Sequence, residues 1–118
     1  MVNRQRKNFL SPLENKVIGE LWNGGALTVR QIYGRLHRKG HKIALTSIAV
    51  VLDRLYDQGI VSRRTETCRG GLRYVYRARK SQKEVYKIFL DKTVNRLLER
   101  FGPTAASYFH ERFGRAHK

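Results

Sequence analysis

Cysteine is almost missing from this chain: Cys68 is the only one, so no internal disulfide can form and a reducing compartment is expected. Acidic residues are scarce too, 9 against 25 lysines and arginines, for a net charge of +16. No apolar run approaches the eighteen or so residues a membrane-spanning helix requires, so no membrane partner is expected. The basic N-terminus, MVNRQRKNFL, has no apolar core of a secretory signal. These absences point to an intracellular protein, expected in the cytoplasm with the nucleoid. Catalysis finds no foothold either. There is no phosphate-cradling Gly-rich motif, and the acidic residues are scattered singly apart from Asp53 and Asp57. His37 and His41 stand four apart, but Gly40 and a turn intervene and no further ligand converges, so neither metal nor cofactor is expected. Cys68 is read as an inert surface thiol. No small-molecule ligand is identifiable.

What is present in excess is positive charge. It implies a polyanionic partner, and nucleic acid is the commonest one. The charge is uneven: residues 1–80 carry 17 basic and 5 acidic side chains, residues 81–118 carry 8 and 4. The first part is therefore the expected nucleic-acid footprint. Arg4, Arg6 and Lys7 form a basic N-terminal arm.

The stretch from Ala44 to Tyr76 organises the rest. Ile48, Val51, Leu52 and Leu55 lie on one helical face, and Gly59 ends that helix. Ile60 to Arg64 and Leu72 to Arg77 read as two short strands around the loop TETCRGG. A helix followed directly by a basic hairpin is the pattern of a winged helix, with the helix in a DNA groove and the hairpin as the wing. Upstream, Ser11-Pro12-Leu13-Glu14 and Thr28-Val29-Arg30-Gln31 are capping boxes that open two helices. The first carries Leu13, Val17, Ile18, Leu21 and Trp22, the last read as a core anchor; the second carries Val29, Ile32, Tyr33 and Leu36. A third capping box, Ser81 to Glu84, opens a long helix to about Phe101, stopped by Gly102-Pro103; a last helix runs from about Thr104 to Phe113. The expected fold is mostly α with a small β-hairpin: a winged helix-turn-helix over residues 1–80, then C-terminal dimerisation helices over 81–118.

Direct readout of base edges needs donors, acceptors or methyl groups on the outward face of the third helix. Thr46 and Ser47 offer hydroxyls, and Ala49 and Val50 offer methyls for thymine contact; Thr46 also reads as a helix cap. Arg54 is a phosphate contact, a partner of Asp53 or Asp57, or a brace for the wing. Arg30, Lys42, Arg63, Arg64 and Arg73 are placed to fix register on the duplex backbone, and Arg69 with Gly70 at the wing tip is suited to the minor groove. On the long helix Tyr86, Leu90, Val94, Leu97 and Phe101 make a continuous apolar stripe that Ile88, Phe89 and Leu98 widen, and Tyr108 and Phe109 follow on the last helix. That face is expected to bury against a second copy of the chain.

Three segments, LSPLENKVIGELWNGGALTVRQIYGRL at 10–36, ALTSIAVVLDRLYDQGIV at 44–61 and GGLRYVYRARKSQKE at 70–84, together resemble one family. It comprises the winged-helix repressors of β-lactamase and methicillin-resistance genes and of copper-transport operons. The resemblance implies a homodimeric transcriptional repressor of an inverted-repeat operator on double-stranded DNA, dimerised through its C-terminal helices, and not an enzyme. Residues 81–118 contain no cysteine, so the copper-sensing Cys-x-Cys cluster of some members is missing. No cleavage site like that of the antibiotic-resistance members is recognisable. The same fold also serves sequence-tolerant architectural DNA-binding proteins and protein-interaction modules.

Overall fold

The structure, a computed structural model, describes residues 10–114; the basic arm with Arg4, Arg6 and Lys7 lies outside them. Those residues fall into two compact units, residues 10–85 and residues 86–114.

The first unit runs α1 (Pro12–Gly24), β1 (Leu27–Thr28), α2 (Val29–Arg38), α3 (Leu45–Asp57), β2 (Val61–Cys68) and β3 (Gly71–Ala78), then the first turn of α4 (Gln82–Phe101). Helices α1 and α2 start where their capping boxes require. Ser11 Oγ accepts from Glu14 N at 3.2 Å while Ser11 N donates to Glu14 Oε1 at 2.8 Å. Thr28 and Gln31 repeat both bonds, at 3.2 and 2.8 Å. Helices α2 and α3 both end on glycines with positive φ, Gly40 at +89° and Gly59 at +76°. In each the next residue donates back into the helix, His41 N to Leu36 O and Ile60 N to Leu55 O, both at 2.9 Å. This reversal satisfies the last carbonyls, and only glycine adopts it without steric cost.

The core is the meeting of three helical stripes over a small sheet. Val17, Ile18 and Leu21 of α1, Ile32 and Leu36 of α2, and Ile48, Val51, Leu52 and Leu55 of α3 are all buried. Each such aliphatic side chain contributes about 1.5–3 kcal/mol through removal from water. Trp22 is half-buried rather than a core anchor, because its indole Nε1 donates to Lys80 O at 3.0 Å and must reach the edge of the packing to do so.

The sheet differs from expectation in two ways. It has three antiparallel strands in the order β1-β3-β2, not two. Leu27 and Thr28 pair with Tyr76 and Val75, a distant pairing that no local pattern announces. The hairpin is also longer than expected: the ladder continues to Thr65↔Tyr74, Glu66↔Arg73, Thr67↔Leu72 and Cys68↔Gly71, leaving only Arg69 and Gly70 as the turn. The polar segment TETC reads as loop by composition, but its threonines are β-branched and suit a pleated, solvated surface.

In the second unit α4 continues to Phe101 and α5 spans Pro103–Phe113, one residue earlier than expected because Pro103 fits the first helical position. The predicted box at the start of α4 is present: Ser81 N donates to Glu84 Oε1 at 2.8 Å, and Glu84 N to Ser81 Oγ at 3.1 Å.

Candidate nucleic-acid interface

Helix α3 is the only one of the first four without a side-chain N-cap. Ala44 occupies the cap position and makes no side-chain bond, so Thr46 is not the cap but a residue of the first turn. Helices α1, α2 and α4 have N–H groups of their first turn engaged by Ser or Thr. In α3, Ser47 N turns back onto Ala44 O at 3.1 Å, and no side chain caps the N–H groups of Leu45 and Thr46, which stand at the positive end of the helix dipole. Thr46 and Val50 are exposed and Ser47 and Ala49 are half-buried, all on the side away from Ile48, Val51 and Leu52.

Two open hollows flank this helix start. One, of about 390 Å³, has walls from Thr28, Val29 and Arg30 of α2, Leu45, Thr46 and Ala49 of α3, and Cys68, Arg73 and Tyr74 of the wing. The other, of about 580 Å³, is lined by Lys16 of α1, by His41 and Lys42 of the turn and by Ser47, among others. The structure thus divides the sequence-derived set: Arg30, Thr46, Ala49 and Arg73 gather on one side, Lys42 and Ser47 on the other. Lys16, His41 and Tyr74 join them, and sequence reasoning does not find them. Lys16 lies on α1, which carries no DNA-facing signal of its own.

The wing arginines differ sharply in their surroundings. Arg63 Nη1 donates to Asp53 Oδ1 at 2.8 Å, and its guanidinium carbon lies 3.9 Å from the Tyr56 ring centre and 4.1 Å from that of Tyr74. It ties β2 to the C-terminal half of α3. Asp53 therefore pairs with Arg63 and not with its sequence neighbour Arg54. Arg64 and Arg73 both approach Glu66, at 3.5 and 2.8 Å. Arg69 and Gly70 form the exposed turn. Among the described residues Arg30, Lys42, Arg54 and Arg69 are exposed cations without an ion pair.

Residues 10–114 match the penicillinase repressor family. The chain belongs to that family. No curated protein matches it. Among solved structures, a possible transcriptional regulator from Methanosarcina mazei Go1 superposes with a TM-score of 0.62 at 16% identity, covering 84% of this chain and 79% of that one. A MarR family protein from Bacillus stearothermophilus gives 0.47 at 17% identity, over 92% of this chain and 73% of its own. The first likeness supports the winged-helix fold; function enters through the family, which is one of transcriptional repressors.

In this penicillinase-repressor-family chain the second unit leaves many apolar side chains in solvent. Tyr86, Leu90, Val94 and Phe101 on α4 and Tyr108 and Phe113 on α5 are exposed, Leu90 at 63%. Leu97, Leu98 and Phe109 are half-buried. The Phe109 ring stands 6.0 Å from Tyr108 and 6.4 Å from Phe113, so the aromatics of α5 form one cluster. Phe113 joins this face from the last turn of α5. No helix among the described residues is long and apolar enough to cross a membrane.

Proposed function

We propose that this chain is a homodimeric repressor that binds double-stranded DNA at an inverted-repeat operator. Membership of a repressor family gives the class. The observation that carries the DNA-binding reading is the uncapped start of α3, flanked by exposed, unpaired cations. Helix α3 enters the major groove, where Thr46 and Ser47 meet base edges or a phosphate and Ala49 and Val50 meet thymine methyls. Arg30, Lys42 and Arg54 hold the backbone, and Arg69 with Gly70 reaches the minor groove. Arg63 serves as a brace between wing and α3 and not as a phosphate contact, because Asp53 and two tyrosine rings already occupy it.

Residues 1–80 act as the DNA-binding part and residues 81–118 as the dimerisation part. An apolar stripe as extensive as that on α4 and α5 marks an interaction surface. A two-fold axis through it sets two α3 helices one DNA turn or a multiple apart, which calls for an inverted repeat.

The test is titration of labelled duplex, taken from upstream of the protein's own gene, against random-sequence competitor. A repressor keeps a preferred site under competition. Equal loss from all sequences would identify an architectural DNA-binding protein, and absence of duplex binding at moderate salt would identify a protein-interaction module.

A further inference from the structure

Residues 61–78 of the wing contain five arginines and one acid, Glu66. Both oxygens of that acid are engaged. Oε1 accepts from Arg73 Nε at 2.9 Å and Nη2 at 2.8 Å, and Oε2 lies 3.5 Å from Arg64 Nη1. The arrangement is built by register. Glu66 and Arg73 are direct cross-strand partners, and Arg64 is two residues from Glu66 on the same strand face. Arg73 also lines the 390 Å³ hollow beside Arg30 and Thr46. The wing arginine that lines this hollow is therefore held by the Glu66 carboxylate.

We propose that Glu66 is an internal competitor of DNA phosphate: it holds Arg73 and Arg64 in the free protein and sets the sequence-independent part of duplex affinity. The proposal rests on the DNA-binding reading above. On a duplex each arginine exchanges one carboxylate for a phosphate, and the freed Glu66 is left beside a polyanion. That exchange subtracts from binding to any sequence, since phosphates are alike everywhere. A chain of net charge +16 binds all DNA strongly, and a carboxylate on the wing restrains that background without touching the residues that read bases. Bonds from Arg73 hold the Glu66 carboxyl below the usual carboxylate range, so the competitor is charged at neutral pH.

The experiment measures fluorescence anisotropy of the full chain on a random-sequence duplex about three helical turns long, across a salt series, for the unmodified protein, Glu66→Gln, Arg64→Ala/Arg73→Ala and the triple variant. Glu66→Gln should bind about 3- to 10-fold tighter, the scale of two released surface ion pairs. Its log–log salt slope should steepen by about 2, one further phosphate per protomer. In the Arg64→Ala/Arg73→Ala background the same substitution should gain clearly less, keeping only the relief of the carboxylate's repulsion by phosphate, since the pairs it releases are gone. Unchanged or weaker binding by Glu66→Gln overturns the proposal, as does a gain that survives intact without the two arginines, which would mark a general charge effect. If the unmodified protein binds no duplex, the DNA-binding reading itself falls and this proposal with it. Thermal melts of each variant establish that all four are folded.

Discussion

The salt dependence expected of the proposed duplex binding follows from which cations are free. Arg30, Lys42, Arg54 and Arg69 are exposed and unpaired, whereas Arg63 is bound to Asp53, and Arg64 and Arg73 share Glu66. Counting only these four at the candidate interface, among the described residues, a dimer offers about eight free cations, and at about 0.9 counterion released per phosphate the slope of log K against log salt is near −7. Between 50 and 200 mM salt, affinity should fall about 10⁴-fold. Substitutions then sort by environment. Arg69→Ala should make the slope shallower by about 2, since each protomer then neutralises one phosphate fewer, and should weaken binding to every sequence alike. Arg63→Ala should leave the slope where it is while lowering the melting temperature, because it removes a brace. Ser47 and Val50 variants should change sequence preference with little effect on slope. The assay is anisotropy or filter binding at four or more salt concentrations. A slope shallower than about −3, or an Arg63→Ala variant that flattens it as much as Arg69→Ala does, would refute the assignment of free and engaged arginines.

Replacing Val94 and Leu97 together with Asp should give a monomer by sedimentation that keeps the winged-helix circular dichroism and loses most operator affinity; a monomeric unmodified protein at micromolar concentration would dismiss the dimer. Glu20 is buried on α1, with Oε2 2.5 Å from Lys39 Nζ and Oε1 left without a hydrogen bond, 3.8 Å from Arg35. Lys39→Met removes the one hydrogen bond to that buried carboxylate, leaves it only the longer pair with Arg35, and should cost about 2 kcal/mol in urea unfolding, more than Glu20→Gln, whose cationic partners are solvated; equal costs would count against this account. Burial raises the Tyr76 hydroxyl above the ordinary tyrosine value of 10.0, against the opposing pull of Arg63. Neutral Tyr76 is thus favoured by the fold, and its stabilising contribution is complete below about pH 10 and lost as pH rises through the raised value. Tyr76→Phe should accordingly flatten the alkaline fall in melting temperature, and an identical fall in both proteins would exclude Tyr76 as its source.

Local signals carry much of this architecture. The boxes at Ser11, Thr28 and Ser81 each place a cap and its acceptor three residues apart, so both partners are visible in one short window, and all three helices begin there. The glycine ends at Gly40 and Gly59 are equally local. Non-local pairing is not legible. Strand β1 is two residues long, and Thr28 already reads as a cap, so nothing in the window from Leu27 to Thr28 demands a partner near residue 75. The same limit applies to the candidate interface. The sequence displays its arginines but not their partners: Arg63 and Asp53 are ten residues apart and meet only because the wing folds back on α3. One signal is local. Asp53 and Arg54 are adjacent on a helix, and adjacent helical residues do not face each other, so their pairing is disfavoured from the outset.

The third strand also explains how the interface keeps its shape. Thr28 caps α2 through its hydroxyl and, in the same residue, pairs through the backbone with Val75 of β3. Arg30 follows two residues later on α2, and Arg73 precedes Val75 by two on β3. The two arginines on the walls of one hollow are thus joined through a backbone ladder rather than through side chains. Arg63 supplies the second tie, from β2 to α3. With the wing anchored at both strands and its turn reduced to Arg69 and Gly70, the backbone positions that carry these cations are fixed by the fold itself. In the proposed complex the backbone of the wing then needs no ordering, and only the side chains lose conformational entropy. A flexible seven-residue loop, the form that composition suggests for TETCRGG, would leave the backbone at Arg69 to be ordered by a duplex instead.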